Sequence, residues 1–174
     1  MQQQEKFLSV LESHKGILYK VANAYCARDE DRQDLLQETI LQLWQSFEKY
    51  DDQFRYSTWI YRIALNVAIS FYRKENRRKR VSGSFPGDVL SYVDQAPAAP
   101  NEDVIFLFRF IASLREIDKG LMLLYLEEKT YKEMADIMGL TETNVATKIG
   151  RIKADLKQKF LHLKNNEDGT NGNG

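Results

Sequence analysis

The chain has 174 residues, with 25 basic and 25 acidic side chains, so its formal net charge is zero. Apolar residues make up 43% and charged residues 29%, as in ordinary globular proteins, and the length accommodates one or two small domains. No apolar run is long enough to span a bilayer and the N-terminus lacks a signal-peptide pattern, so we expect no membrane insertion and a cytoplasmic location. The single cysteine, Cys26, excludes an internal disulfide and any multi-cysteine metal site.

The charges are unevenly distributed along the chain. Residues 51–80 carry eight basic and three acidic side chains, a net charge of +5, whereas residues 1–50 have a net charge of −2 and residues 81–102 of −3. Residues 103–174 balance at eleven of each sign. Such a local positive field is compatible with nucleic-acid binding in spite of the neutral total.

The periodicity of apolar residues predicts two amphipathic helices at the start of the chain, at about Glu5–Ala27 and Asp31–Phe47. The predicted buried stripe of the second helix consists of Leu35, Leu36, Thr39, Ile40, Leu43, Trp44 and Phe47. Acids and amides line another face, namely Asp31, Asp34, Glu38, Gln42 and Gln45. That face is either an ordinary solvated surface or a docking surface for a basic partner, since opposite charges steer association.

The stretch Gln53–Arg80 predicts a third helix, whose start Ser57 or Thr58 can cap. We expect the other elements of the chain to be arranged around this helix. Its predicted apolar stripe contains Trp59, Ile60, Ile63, Ala64, Val67, Ala68 and Phe71. Arg62, Asn66 and Arg73 occupy the opposite face. The segment from Arg73 to Arg80 has six basic residues, including Arg77 and Arg78, against one acid.

Three aromatic residues, Tyr50, Phe54 and Tyr56, precede this helix in a loop with Asp51 and Asp52. Aromatic side chains beside a basic helix favour stacking on nucleic-acid bases and pairing with phosphates. Core packing of the aromatics and a solvated helix end are the alternatives for the same pattern.

Residues 81–102 contain all three prolines of the chain and predict a linker between two domains. The predicted fold is therefore all-α, with a helical domain at 1–80, a flexible linker at 81–102 and a second helical domain at 103–164. The polar, glycine-rich tail at 165–174 is predicted to be disordered.

The second domain has the pattern of a helix-turn-helix. After predicted helices at about Asp103–Leu114 and Ile117–Glu127, Thr130 and Glu133 have capping-box spacing and Gly139 ends a short helix. A last helix, from about Glu142 to Leu163, buries Val145, Ile149, Ile152 and Leu156. Its other faces carry Thr143, Ala146, Thr147, Lys148, Gly150, Arg151 and Lys153. A short helix, a glycine turn and a longer polar, basic helix are typical of this DNA-binding motif.

The sequence contains no phosphate loop, no nucleophile–histidine–acid set and no metal-ligand spacing. The two histidines, His14 and His162, lie near opposite ends of the chain. We therefore expect a binding protein rather than an enzyme, with no cofactor and no small-molecule substrate.

Three blocks of sequence resemble bacterial RNA polymerase sigma factors of the small extracytoplasmic-function group. Asp31–Asp51 (DRQDLLQETILQLWQSFEKYD) is similar to the family's core-binding segment. Phe54–Arg78 (FRYSTWIYRIALNVAISFYRKENRR) is similar to its minus-ten recognition and melting segment. Leu126–Leu156 (LEEKTYKEMADIMGLTETNVATKIGRIKADL) is similar to its minus-thirty-five helix-turn-helix. The order and spacing of the blocks also agree with the family.

The resemblance implies a role for each set of candidate residues. The set that would meet the basic clamp helices of core RNA polymerase is Asp34, Gln37, Glu38 and Leu41. The loop Glu48–Tyr56 would hold a flipped base, and the residues implied at the minus-ten promoter DNA are Tyr50, Phe54, Tyr56, Arg62, Asn66, Arg73, Arg77 and Arg78. The set implied at the minus-thirty-five element is Thr143, Ala146, Thr147, Lys148, Gly150, Arg151 and Lys153.

The chain departs from the family pattern at three positions. Arg115 follows Leu114 where the family often has proline, and Ala146 and Gly150 stand where larger side chains are common. The resemblance also implies, as a second hypothesis, an anti-sigma protein that holds the chain inactive. A free-standing helix-turn-helix regulator with a palindromic operator, and a helical adaptor that binds no DNA, are the alternative functions.

Overall fold

The structure of the protein, a computed structural model, describes residues 1–82 and 101–170, and every regular element in these ranges is helical. The α-helices are α1 (Gln2–Tyr25), α2 (Asp29–Ser46), α3 (Tyr56–Ser82), α4 (Glu102–Ser113), α5 (Glu116–Leu126), α6 (Tyr131–Met138) and α7 (Glu142–Thr170). A single turn of 3-10 helix, Phe47–Lys49, follows α2. The predicted all-α fold class, with two helical domains, is confirmed.

The N-terminal half is built on α3, which packs against both α1 and α2. A first apolar cluster joins these three helices near the start of α3 and contains Phe7, Leu18, Leu43, Phe47 and Ile60. The aromatic rings meet edge to face, with the Phe7 and Trp44 centroids 5.1 Å apart. Acidic residues fill the first turn of α2, where they favour helix formation because the helix dipole is positive there.

Local capping in the C-terminal half follows the sequence closely. Thr130 and Glu133 form the predicted capping box, in which the Thr130 hydroxyl accepts from the Glu133 backbone N–H and the Glu133 carboxylate accepts from that of Thr130. Gly139 ends α6 in the left-handed region at φ 66°. Thr141 caps the next helix, since its hydroxyl accepts a hydrogen bond from the backbone N–H of Asn144 at 3.1 Å. These contacts confirm the helix-turn-helix geometry of α6 and α7.

A second, larger apolar cluster is shared by the two halves of the chain. Helix α3 contacts α1 and α2 on one side and α5 and α6 on the other. The second side buries Tyr61, Leu65 and Ile69, which the sequence pattern did not assign to the stripe of this helix. The same cluster contains Phe110, Leu121, Leu124, Met134, Ile137, Val145, Ile149 and Ile152 from the C-terminal half. The two predicted domains therefore pack against one another.

Polar contacts cross the same interface. The Tyr25 hydroxyl donates a hydrogen bond to the Glu116 carbonyl at 2.5 Å, and Glu127 lies 2.7 Å from the Lys20 ammonium. The Lys119 side chain is 4% exposed, and its ammonium lies 4.6 Å from the ring centroid of Tyr72. Burial lowers the pKa of Lys119 from 10.5 to about 8, so the closed packing includes a desolvated cation.

Several predicted boundaries and burials differ from the structure. Helix α3 extends to Ser82 and α4 begins at Glu102, so only residues 83–100 of the predicted linker remain, and these lie outside the described residues. The tail was predicted to be disordered from Asn165, but α7 continues to Thr170. Each residue added to an existing helix gains a backbone hydrogen bond, and no proline interrupts this segment. Residues 171–174 lie outside the described residues.

Two residues of the predicted stripe of α2 are not buried. Ile40 is 36% exposed and Trp44 is 41% exposed. The periodicity predicted them to be inward, but α1 and α3 cover only part of the α2 surface, where Leu35, Thr39 and Leu43 are buried.

No helix in the described ranges combines the length and the apolar character that a membrane span requires.

Two glycines in the helix-turn-helix should respond in opposite directions to the same substitution. Gly139→Ala should lower the free energy of unfolding by about 1 kcal/mol, because a side chain disfavours its left-handed backbone. Gly150→Ala should raise it by about 1 kcal/mol, because Gly150 lies inside α7 with open space around the added methyl. Denaturant unfolding of the purified variants measures both changes. Equal shifts of the same sign would show that backbone conformation at these positions is not the determinant.

Candidate polymerase and nucleic-acid interfaces

All four residues predicted to bind polymerase are exposed on α2. Asp34, Gln37, Glu38 and Leu41 recur at intervals of three or four residues and so form one strip of the helix. The Glu38 carboxylate accepts a hydrogen bond from the Gln42 side chain at 3.1 Å, which orients it along the helix surface. Leu41 is 47% exposed and supplies the apolar end of the strip.

An apolar groove adjoins this strip, between α1 and α2. It has a volume of about 380 Å³ and is lined by Gln4, Phe7, Leu8, Gln37, Ile40, Leu41 and Trp44. Leu8 is 53% exposed. The periodicity placed both Leu8 and Trp44 on the apolar stripes of their helices and did not identify them as exposed binding residues. The adjacent pair Phe7–Leu8 carried a usable signal, because consecutive helical residues point about 100° apart and a narrow buried stripe covers only one of them.

A second groove, of about 520 Å³, runs between α2 and α3. Asp34 and Glu38 line one side, and Asn66 and Lys74 line the other. The structure therefore brings two residues predicted to bind polymerase next to one predicted to bind minus-ten DNA. The sequence could not show this, because the two sets are separated by about thirty residues.

Two aromatic residues, one in the loop before α3 and one at its first position, stack on each other. The Tyr50 and Tyr56 rings lie 4.3 Å apart at 18°, and the Tyr50 hydroxyl donates a hydrogen bond to the Phe54 carbonyl. An open cavity of about 580 Å³ beside the stack is lined by Gln2, Gln3, Lys6, Phe47, Glu48, Tyr50, Asp52 and Tyr56. Rings that are partly exposed along a cavity can stack on an unpaired base, whereas Phe47, behind them, is buried in the core.

The predicted DNA-binding residues of α3 lie on its exposed side. Arg62, Asn66, Arg73 and Arg77 follow one another at intervals of four, seven and four residues, so they share one face. Arg78 is exposed beside them and lies 3.2 Å from Glu75. Arg73 reaches the other half of the chain: its Nε atom lies 2.7 Å from Glu116, and the hydrogen bond from Arg73 lowers the pKa of that carboxyl.

The candidate residues of α7 occupy a ridge and its two flanks. At about 100° per residue, Thr143, Thr147 and Gly150 lie on the side opposite the buried residues of this helix, and the half-buried Ala146 lies beside them. Lys148 and Arg151 lie on one flank, where Asp118 of α5 is within 4 Å of both. Lys153 lies on the other flank, with its ammonium 3.2 Å from the Tyr125 hydroxyl.

The middle of the ridge is formed by small side chains, and its flanks are basic. The Thr147 hydroxyl donates to the Thr143 carbonyl at 2.9 Å, so one of its polar atoms is used within the helix. Within the described ranges, no three His, Cys, Asp or Glu side chains form a group that could hold a metal ion. The arrangement of small side chains between basic flanks offers charge and shape that suit a nucleic-acid groove.

Two family models match the chain. Sigma-70 region 2 matches residues 10–78, which include α2 and most of α1 and α3, and Sigma-70, region 4 matches residues 107–156, which include the helix-turn-helix. Each match corresponds to one half of the described fold.

Known proteins show the same relationship. The ECF RNA polymerase sigma factor SigM of Bacillus subtilis (strain 168) is 29% identical over 136 residues, 78% of this chain and 83% of SigM. SigW of the same strain, also an ECF RNA polymerase sigma factor, is 22% identical over 171 residues, 92% of this chain and 91% of SigW.

Two solved structures share the fold. The sigma factor RpoE in complex with the anti-sigma factor NepR from Bartonella quintana has a TM-score of 0.65 at 19% identity, covering 89% of this chain and 94% of that one. CnrH in complex with the cytosolic domain of CnrY has a TM-score of 0.63 at 19% identity, covering 90% of this chain and 88% of that one. With both sigma-70 regions matched in order and in place, the chain belongs to the extracytoplasmic-function group of sigma-70 RNA polymerase sigma factors.

Proposed function

We propose that this chain joins core RNA polymerase in the cytoplasm and directs it to promoters that carry a minus-ten and a minus-thirty-five element, using the residue sets described above. The observation that carries the proposal is the pair of sigma-70 matches, each of which coincides with one helical half of the fold. The alternative of a free-standing regulator on a palindromic operator is not favoured, because region 2 has no part in such a protein.

Core polymerase binds the exposed strip of α2 together with the neighbouring apolar groove. Asp34 and Glu38 are acids at the rim of a surface whose centre is formed by Leu41, Trp44 and Leu8. A charged rim steers the encounter with a basic partner, and an apolar centre supplies most of the affinity. The combination of an acidic rim and an apolar centre supports the assignment of Asp34, Gln37, Glu38 and Leu41 to polymerase binding.

The minus-ten element binds the aromatic loop and the exposed face of α3. Extruding a base from the duplex costs a few kcal/mol, and stacking it on an aromatic ring returns roughly 1–3 kcal/mol. Tyr50, Phe54 and Tyr56 supply the rings, while the residues that contact the DNA strand beside them are Arg62, Asn66, Arg73, Arg77 and Arg78.

The minus-thirty-five element binds α7 in its major groove. Small side chains at Ala146 and Gly150 allow close approach, and the hydroxyls of Thr143 and Thr147 face the base edges. Lys148, Arg151 and Lys153 contact the flanking phosphates, which set the register of the helix.

Reading both elements requires the two halves of the chain to separate. The elements lie some 25 base pairs apart, about 85 Å of duplex at ~3.4 Å per pair. A compact body of about 150 residues has a radius of gyration near 15 Å, so the closed packing cannot span that distance. The 18 residues between Ser82 and Asn101 reach at most about 60 Å when extended, which is enough for two separated domains to bind both sites.

An anti-sigma protein is the second proposed partner. RpoE and CnrH, which share this fold, were solved with NepR and with the cytosolic domain of CnrY, respectively. In this chain the exposed apolar groove of Leu8, Ile40 and Trp44 is a suitable surface for such a protein, because contiguous exposed apolar residues mark interaction sites. Binding there would exclude polymerase from the same groove.

Transcription with purified core polymerase tests the proposed function. Adding the chain should start transcripts from a subset of a promoter-fragment library, and the selected fragments should share two spaced elements. The isolated chain should bind the same fragments weakly, since it supplies no net charge of its own. Failure of core polymerase to bind the chain would refute the proposal, and tight binding of a palindrome by the free chain would favour the regulator.

A charge reversal on α2 tests the polymerase face. Glu38→Lys should weaken binding to core polymerase at least tenfold, because it places a cation on a surface proposed to meet basic helices. Glu12→Lys, on the exposed side of α1, is the matched control with the same change in net charge and should leave the affinity unchanged. Fluorescence titration of labelled variants with core enzyme measures both. Equal losses in the two variants would place the polymerase face elsewhere.

A bulky side chain at position 120 tests domain separation. A Cβ atom at Gly120 would lie 2.9 Å from the Tyr25 hydroxyl and 3.5 Å from Leu65, both across the interface. Gly120→Leu should therefore increase the radius of gyration measured by X-ray scattering, whereas Gly16→Ala, with open space around it, should not. Circular dichroism verifies that the helices persist. An unchanged radius with intact helices would show that the two halves remain packed together.

A further inference from the structure

Asp118 in the C-terminal half has a carboxylate that is buried and incompletely hydrogen-bonded. It lies in the first turn of α5 and is 6% exposed. Its Oδ1 atom accepts no hydrogen bond from any described residue, and the Lys148 ammonium is 3.8 Å away. Its Oδ2 atom lies 3.3 Å from a guanidinium nitrogen of Arg115 and 3.6 Å from one of Arg151.

Three cations thus surround one buried carboxylate, and two of them belong to the candidate DNA-reading helix. Lys148 is itself largely covered, with a side chain 23% exposed, whereas the Arg151 side chain is 59% exposed. A guanidinium has five N–H donors in a rigid fork, so Arg151 can keep its contact with Asp118 and still donate to a phosphate. An ammonium at the distance of Lys148 is held by charge alone.

We propose that Asp118 is a positioning residue for minus-thirty-five recognition: it holds Lys148 and Arg151 on one flank of α7 and thereby sets how the helix sits in the major groove. This inference rests on the proposed function of α7. Asp118 acts through the two cations and does not itself touch DNA.

The form of the α7 ridge explains why such positioning matters. Its middle is formed by Ala146 and Gly150, which are too small to fix the helix by shape. The register on the duplex therefore depends on the basic flanks, because phosphate contacts orient a protein on DNA. A cation that is free to move among phosphates raises the affinity for DNA of any sequence. A cation held in place raises the affinity only in the register that aligns the ridge with the correct bases.

Asp118→Asn is the primary test, because it removes the charge and keeps the shape. The holoenzyme is titrated with two promoter duplexes that differ only in a selected or a scrambled minus-thirty-five element. Release of Lys148 and Arg151 should strengthen binding to the scrambled duplex, and the ratio of the two affinities should fall at least fivefold. The dependence of binding on salt should become steeper by about one phosphate contact.

Asp136→Asn on α6 is the matched control. It removes the same charge from the same half of the chain, and within the described residues Asp136 has no ion-pair partner within 4 Å. The affinity ratio should be unchanged in this variant. Asp118→Glu, which keeps the charge but moves the carboxylate by one methylene, should give an intermediate ratio and provides a second test if the asparagine variant folds poorly.

A double-mutant cycle separates positioning from stability. In a chain with Lys148→Met and Arg151→Met, adding Asp118→Asn should no longer change the affinity ratio, because the residues through which it acts are gone. An unchanged ratio in the wild-type background, or an equal fall in both backgrounds, would refute the positioning role while leaving the proposed function intact. A wild-type holoenzyme with no preference between the two duplexes would instead refute the proposed function of α7 and this inference with it.

Discussion

Burial of one side of α5 and α6 against α1 and α3 is the interaction on which the rest of the closed structure depends. Each half alone is near the size at which an apolar core becomes marginal, and the shared cluster gives both halves buried surface that neither has by itself. The same interface also contains the desolvated Lys119, which weakens the net gain because burial penalises charge. Its ion pairs Lys20–Glu127 and Arg73–Glu116 are largely exposed and add little. The proposed separation of the halves on promoter DNA would break this interface, so a moderate closing energy suits the proposed function.

Electrostatic contacts within the chain involve several of the residues proposed to bind DNA. Glu116 pairs with Arg73 of α3, and Asp118 attracts Lys148 and Arg151 of α7. Both acids lie in the first turn of α5, where the positive end of the helix dipole favours them. The two pairings differ in place, since the Glu116 contact crosses the interface between the halves, whereas the Asp118 contacts with Lys148 and Arg151 lie within the C-terminal half. The proposed separation of the halves would break the first pairing and leave the second. Internal pairing thus neutralises part of the positive charge proposed to meet DNA, whereas the net charge of zero follows from composition alone.

Features governed by neighbours in the sequence could be predicted, and those governed by neighbours in space could not. Thr130, Glu133 and Gly139 behave as predicted because capping and left-handed turns depend on a few consecutive residues. Ile40 and Trp44 were predicted to be buried from the period of their helix, which identifies an apolar side but cannot tell how much of it other helices cover. Tyr61, Leu65 and Ile69 were missed for the converse reason, since a helix packed on two sides has no single stripe.

The sequence by itself determined the helices, their caps, the helix-turn-helix and the sigma-factor resemblance that the family matches later confirmed. It did so because periodicity, capping and family motifs are properties of local order along the chain. Only the tertiary structure decided that the two halves share a core, that an apolar groove adjoins the acids of α2, and that Asp118 lies against the cations of α7. Each of these joins residues that are distant in sequence, and their proximity depends on how whole helices pack.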